Sequence, residues 1–573
     1  MTTSFPDHKL TIYQLLPRLF GNTNTNNKFY GSMEENGVGK FNDINDKALR
    51  EIRLMGITHI WYTGIIEHAT MTDYSRYGIP NDDPDVIKGR AGSPYAVKDY
   101  YDVDPDLAVD VVNRMAEFEG LVKRTQANGL RVIIDFIPNH VARAYHSDDA
   151  PDECRDFGAD DDTAKAFDPQ NDFYYIPGQP FVVPPGYNPG GDEFKHPLKD
   201  GKYNEMPARA TGNDVFSAAP SVNDWFETVK LNYGVDYQDQ WKPHFDPPPS
   251  VWIKMYHILH FWAAKGIDGF RCDMVEHVPM EFWGRVIGKL KKDFPQLIFI
   301  GEAYDVREYN NYLFKGGFDY LYDKTGLYDA LFRLTRNDNN ATIWDINKVW
   351  NYDSRGKDER MLRFMENHDE YRIASGAFAG DAWLAIPGMI VTATLSVGPV
   401  MIYAGQEVGE TADGSEGFSG NDGRTTIFDY WGMPALQKWV NNGRFDGGQL
   451  KASQKALRFF YHKLLLAVRE NEALRLGYFY ELMLANEHSN GFDMRVYAYL
   501  RYTGKQRVLI VVNFNRELRA LNVKLPSELR EQLNLQGEII FTELLSDAEF
   551  STDDIAAGLN ITMPPSGGLM LSF

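Results

Sequence analysis

Short apolar runs and longer amphipathic stretches alternate from residue 10 to about residue 475. The runs at 10–14, 58–62, 131–136, 267–271, 297–300, 318–321, 361–365 and 400–403 predict buried strands. The stretches at 109–128, 251–264 and 281–293 carry apolar residues at helical spacing and predict helices between them. Eight strand–helix units in one chain predict an α/β fold built on a parallel (β/α)8 TIM barrel. An open doubly wound sheet is the alternative. It usually carries a glycine-rich phosphate turn after its first strand, and none is present here.

The alternation breaks in two places. Strand three ends near His140, yet the next helical pattern begins near Val251. The residues between are rich in Pro, Gly, Asp, Asn and Tyr, and a structureless loop of that size is improbable, so 141–250 predicts an inserted domain on the barrel rim. A second insertion, 409–445, follows strand eight, contains Gly-Phe-Ser-Gly-Asn-Asp-Gly-Arg, and should lie at the same mouth. After a predicted helix at 451–471 the pattern changes to short runs at 494–502, 507–513, 518–525, 537–545 and 568–573. The expected organisation is a barrel from 1–140 and 251–476, an insert at 141–250, and a C-terminal antiparallel β-sandwich at 477–573.

A net charge of −21 argues against a nucleic-acid backbone as partner. A neutral sugar is indifferent to that charge. The 32 Tyr, 35 Phe and 11 Trp suit a carbohydrate site, where flat rings pack on pyranose faces; they suit a large core equally well. The two cysteines, Cys154 and Cys272, exclude a disulfide framework and argue against zinc held by thiolates. Cys272 falls within strand four and should point away from the mouth. The first eight residues, Met-Thr-Thr-Ser-Phe-Pro-Asp-His, have neither a basic start nor an apolar stretch. The expectation is therefore a cytoplasmic protein with no membrane span, or a periplasmic or secreted one if a leader has been trimmed.

Three acids close apolar runs: Asp273 after Gly-Phe-Arg-Cys, Glu302 after Ile-Phe-Ile-Gly, and Asp369 after Phe-Met-Glu-Asn-His. Carboxylates at the C-terminal ends of parallel barrel strands read as catalytic. Retaining cleavage of a glycosidic bond needs two of them roughly 5–5.5 Å apart. Neighbouring strands are about 4.8 Å apart, so acids ending strands four and five meet that spacing. Arg271, two residues before Asp273, shares its face of the strand and would keep it ionised, as a nucleophile requires. Glu302, partly buried near other carboxylates, suits a general acid. Asp369 would hold sugar hydroxyls and favour an oxocarbenium-like transition state. His140 and His368, each after an asparagine, can donate to sugar hydroxyls.

These segments resemble glycoside hydrolase family 13, the α-amylase family. Asp-Phe-Ile-Pro-Asn-His (135–140), Gly-Phe-Arg-Cys-Asp-Met-Val-Glu-His-Val-Pro (269–279), Gly-Glu-Ala (301–303) and Glu-Asn-His-Asp (366–369) are similar to its four conserved regions, in order. Tyr-Gln-Leu-Leu-Pro-Arg-Leu-Phe (13–20), Gly-Ile-Thr-His-Ile-Trp (56–61) and Gly-Pro-Val-Met-Ile-Tyr-Ala-Gly-Gln-Glu (398–407) resemble its strands one, two and eight. The resemblance implies Asp273 as nucleophile, Glu302 as acid/base and Asp369 as transition-state stabiliser. It also implies Arg271, His140, His368 and a stacking Tyr95 around the reacting sugar. The implied reaction is retaining cleavage or transfer of α-glucosidic bonds, most often α-1,4, in an oligo- or polysaccharide α-glucan. No cofactor is needed for that chemistry.

Two positions depart from the family pattern. Many members place Lys-His three and four residues after the nucleophile; here they are Glu276 and His277, so binding beyond the cleaved bond differs. The segment Val-Lys-Leu-Asn-Tyr (229–233) puts Lys230 where a calcium-binding aspartate is usual, although Asn139 is present. A structural calcium remains open instead at the 21–27 loop, where Asn22 and Asn24 offer oxygen ligands; a solvated polar turn is the other reading. Function divides three ways: an α-glucan hydrolase; a transferase or isomerase on the same barrel; and a non-catalytic glucan-binding protein, which loss of an acid would mark.

Overall fold

The computed structural model describes residues 9–151, 154–414 and 420–573. The stretch 1–8 and the 417–419 part of the Gly-Phe-Ser-Gly-Asn-Asp-Gly-Arg run lie outside the described residues. Eight parallel strands form one sheet: β1 (Thr11–Leu15), β2 (His59–Tyr62), β3 (Arg131–Phe136), β4 (Gly269–Cys272), β5 (Ile298–Gly301), β6 (Tyr320–Tyr322), β7 (Met361–Leu362) and β8 (Val400–Tyr403). Their hydrogen-bonded order is β7-β6-β5-β4-β3-β2-β1-β8. Arg363 then pairs in parallel with Val400, so β7 meets β8 and the barrel closes. Closure leaves no exposed edge to recruit another chain.

All eight expected strands are present, with shifted ends. The run at 267–271 begins pairing only at Gly269, because the Asp268 carboxylate accepts the Val132 N–H (2.9 Å) and meets Arg131 at the barrel foot. The run at 361–365 pairs only briefly, because the chain turns at Asn367, whose Oδ1 accepts the N–H groups of Asp369 and Glu370 (2.9 Å each). Inside the barrel, Ile12, Trp61, Ile133, Ile300, Leu362 and Met401 form one apolar cluster. Outside, the helices Arg114–Ala127, Ser250–Ala264, Met280–Asp293 and Ala452–Glu470 cover the strands. Trp262 and Trp283 are fully buried in that outer core, and truncating either to alanine would cost roughly 3–5 kcal/mol. Cys272 packs there too, with the side chains outside the barrel.

Between β3 and the helix Ser250–Ala264 the described residues form no helix. They fold as short antiparallel ribbons: His140–Ala142 with Thr228–Lys230, Tyr175–Ile176 with Ala208–Arg209, and Val235–Asp236 with Lys242–Pro243. Buried Arg143 ties this region together, pairing with Glu205 (2.6 Å) beneath the Phe181 ring. The first ribbon grows directly out of the mouth of β3, so it carries residues 225–230 to the C-terminal end of the barrel strands.

The C-terminal region is an antiparallel sheet of six strands, ordered β9 (Tyr478–Glu481), β10 (Val496–Tyr502), β11 (Arg507–Asn513), β16 (Gly567–Ser572), β13 (Ile539–Glu543) and β14 (Glu549–Thr552). A two-stranded ribbon, β12 (Arg519–Val523) with β15 (Leu559–Met563), completes it. β9, β14 and β15 escape sequence reading because two lie at sheet edges and the third alternates apolar with polar residues in a two-stranded ribbon. The sheet docks on the fully buried helix Ile386–Thr394 through Tyr499 on Thr394 (2.5 Å) and Arg501 on the Leu395 carbonyl (3.1 Å). Among the described residues no helix is long and apolar enough to cross a membrane.

Candidate active site

β4 and β5 are paired so that Cys272 faces Gly301. The next residue on each strand is an acid, so Asp273 and Glu302 leave adjacent strands at the same level. Their backbones are fixed by the ladder: the Asp273 N–H donates to the Phe136 carbonyl (2.9 Å) and the Glu302 N–H to the Cys272 carbonyl (3.0 Å).

Arg271 lies beneath both, fully buried. Nη1 donates to Asp273 Oδ1 (2.7 Å) and Nη2 lies 2.8 Å from Glu302 Oε2. Nε donates to the Tyr322 hydroxyl (3.1 Å), and the Trp61 and Tyr322 rings flank the guanidinium. One side-chain head group thus touches both acids. Burial and the facing Glu302 charge push the Asp273 carboxyl well up, and Arg271 opposes them. Asp135 on β3, which accepts from Trp61 Nε1 (3.0 Å), is raised by burial to about 6.

Asp369 reaches the mouth from the turn after β7. Buried Glu366 holds that turn, accepting the Ile373 N–H (2.6 Å) and pairing with Arg372 (2.9 Å). Enclosure and the Glu302 charge push Asp369 up to about 7. Next to it, His368 Nδ1 accepts from the Gln14 amide (2.8 Å), which leaves the proton on Nε2, facing Asp369 (3.1 Å) and the Tyr95 hydroxyl (2.5 Å). The Tyr95 ring stacks on His368 with centroids 5.2 Å apart. Burial and Arg271 hold His368 well below the usual imidazole range, so it is neutral near pH 7.

Asp273, Glu302, Asp369, Tyr95, His140 and His368 line one pocket of about 850 Å³, with Arg271 under its floor. His140 is buried, lowered to about 3 by burial and Lys230, and lies beneath the Trp225 ring (5.4 Å). His277 is not part of this wall; it binds Asp214 (3.0 Å).

A family model described as the α-amylase catalytic domain matches residues 14–425. The chain belongs to the α-amylase family. Among curated relatives of this α-amylase-family chain is α-amylase 3 of Dictyoglomus thermophilum, 21% identical over 76% of the chain and 77% of the relative. A cyclomaltodextrin glucanotransferase of Geobacillus stearothermophilus is 23% identical over 88% of the chain, which spans 59% of that relative. A solved maltogenic α-amylase from Thermotoga neapolitana matches at 20% identity with a TM-score of 0.61, over 98% of both chains. At these identities the solved structure speaks for the fold alone.

The oxygens considered for calcium are already engaged. Lys230 Nζ lies 2.8 Å from Asn139 Oδ1 and 2.5 Å from Asp214 Oδ1, and an ammonium there repels a second cation. Asn22 Oδ1 and Asn24 Oδ1 accept the backbone N–H groups of Asn24 and Asn26 (3.0 and 2.8 Å), while their amides donate to the carbonyls of Asn36, Trp431 and Glu35. Among the described residues no cluster of three or more His, Cys, Asp or Glu side chains has metal-holding geometry. At Asn139 the Lys230 ammonium stands where a cation would, whereas Asn22 and Asn24 Oδ1 each accept a single N–H in a loop that packs against the Asp43 carboxylate.

The sequence reading omits several side chains around the site. Tyr304, just past the end of β5, donates to Glu302 Oε1 (2.6 Å), and its place two residues after the acid is the signal that finds it. Gln14 and Trp61 are legible as inward positions of β1 and β2. Trp225 comes from the inserted region, where no period marks it. Glu276 accepts the Asp305 N–H (2.7 Å), so it shapes the loop after β5.

Proposed function

We propose that this α-amylase-family enzyme is a retaining α-glucoside hydrolase acting on α-1,4 bonds of maltodextrins, starch-like glucans or related oligosaccharides. The observation that carries the reading is the pairing of Asp273 with Glu302 on adjacent strands over one guanidinium. Adjacent strands lie about 4.8 Å apart, and a double displacement needs its two carboxyls roughly 5–5.5 Å apart. Asp273 attacks the anomeric carbon while Glu302 protonates the leaving oxygen. Glu302 then takes a proton from water, which displaces Asp273 with net retention. Asp369, with His368 and His140, holds the hydroxyls of the reacting sugar, and Tyr95 lies against its face. Three carboxyls around one guanidinium retain a proton near neutrality, and one proton is what the first step uses. Calcium has no part in these steps.

A transferase is the second reading, supported by the glucanotransferase similarity over most of the chain. The steps are shared up to the glycosyl-enzyme, and a sugar hydroxyl then replaces water. One experiment separates them: products followed over time from maltoheptaose, a cyclodextrin, pullulan and an α-1,6 oligosaccharide, with the first anomer read by NMR. Hydrolysis gives only shorter products with α configuration; products longer than the substrate mean transfer; an initial β anomer defeats the retaining mechanism. Asp273→Asn should lower kcat by at least about 10³-fold with glucan binding kept.

A further inference from the structure

The pocket wall carries a charge pair that the catalytic steps leave unused. Lys88 lies on the segment leading from β2 to Tyr95, and Glu227 immediately precedes the ribbon strand Thr228–Lys230. Both line the same pocket as the three acids. Lys88 Nζ is 3.0 Å from Glu227 Oε1. Glu227 is 5% exposed, and its Oε2 is buried with no hydrogen-bond partner among the described residues. An orphan carboxylate oxygen is costly and calls for a ligand or another role.

The backbone holds the pair in place. The Arg143 N–H donates to the Glu227 carbonyl (3.1 Å), and Arg143 Nε donates to the carbonyl of Phe226. Beside the pair, the Phe226 and Tyr187 rings meet edge to face at 4.7 Å, with Lys88 Nζ 5.9 Å from the Phe226 centroid. Lys88 keeps two N–H groups beyond the one it spends on Glu227, and its side chain is 24% exposed. An ammonium donor, a carboxylate acceptor and apolar ring faces match a hexose, which presents adjacent hydroxyls beside a C–H face. The pair is neutral overall. A phosphate would meet the Glu227 charge, and an amino sugar would meet that of Lys88.

We propose that Lys88 and Glu227 form a subsite for a neutral hexose unit of the glucan, beyond the unit attacked by Asp273. One hydroxyl accepts from Lys88. Its neighbour donates to Glu227 after a small turn of the terminal carboxylate torsion, which is soft. This rests on the glycosidase reading above.

The test is kcat/KM for the wild type, Glu227→Gln and Lys88→Met on 4-nitrophenyl α-glucoside, 4-nitrophenyl α-maltoside and maltotriose through maltoheptaose. Lys88 is partly exposed, so Lys88→Met keeps the test alive should the buried Glu227→Gln fail to fold. The expected result is a loss of about tenfold or more on the longer substrates. The shortest substrate turned over should change less than about twofold. An equal loss at every length, or none at any length, overturns the subsite. A wild type inert on all of these substrates would instead sink the function itself, before any variant is compared.

Discussion

Tyr304 and Glu302 show how much one hydroxyl governs at this site. Glu302 accepts Tyr304 at Oε1, and at Oε2 it accepts the Met274 N–H (2.8 Å) beside Arg271. Donors on both oxygens fix the Glu302 carboxyl in one orientation. Tyr304→Phe removes one of them, so kcat should fall by about tenfold while glucan binding, read by titration calorimetry, is kept. An unchanged kcat would mean that Tyr304 acts only by packing. The same residues mark the reach of sequence reading. Asp273, Arg271 and Glu302 are legible because a strand fixes which side chains share a face. Trp225, Lys88 and Glu227 are not, because irregular ribbons and loops carry no period to count.

At the scale of elements, the ribbon His140–Ala142 with Thr228–Lys230 is the joint between barrel and insert. Lys230 reaches from it to Asn139 and Asp214, and Asp214 goes on to His277. Against the cost of burial, His277 and Lys230 hold Asp214 down at about 2. Removing Lys230 leaves Asp214 with His277 alone, and because the Asp214 side chain is 31% exposed the loss falls below the roughly 3–5 kcal/mol of a fully buried pair. Lys230→Met should therefore lower Tm by several degrees, whereas EDTA should leave the wild-type Tm within about 1 °C. A large EDTA effect would show a bound metal, and an unmoved Tm in Lys230→Met would defeat the built-in cation.

A second element prediction concerns the strand Ile66–His68, paired with Val97–Val103. Burial pushes Glu67 up to about 9, with Lys98 3.9 Å away and Oε2 without a partner among the described residues. A raised carboxyl keeps its proton in the folded state at pH values where the unfolded chain has lost it. Its stabilising contribution is whole below the ordinary carboxylate range and falls as pH rises toward 9. Glu67→Gln does not titrate, so its Tm advantage over wild type should be small at pH 5 and larger, by about 3 °C or more, at pH 8. Parallel Tm curves across that range would refute the assignment.

On the scale of the whole molecule, the barrel and the C-terminal sheet share the helix Ile386–Thr394, which is buried on all sides. Gly568 of β16 lies against Ile390, where an added Cβ would come within 2.5 Å of the Ile390 side chain. We propose a boundary at 477, and that the barrel does not stand well without the sheet. A chain ending at 476 bares an apolar helix face and should aggregate or unfold at least 10 °C lower, read by light scattering and calorimetry. A soluble truncated chain with full activity would separate the two parts. The barrel was legible because eight apolar runs and their helices recur along the chain. In the C-terminal region five strands were legible, whereas β9 and β14 were not, since these edge strands bury too little of their length to leave an apolar run.

Lys230 has a consequence for the conditions this enzyme tolerates. A cation tethered to the chain has no dissociation constant: dilution does not wash it out, and a chelator does not draw it off. Its one way of losing charge is to lose a proton, and burial already lowers the pKa of Lys230. We propose that the joint between barrel and insert answers to alkali rather than to the mineral supply of its surroundings.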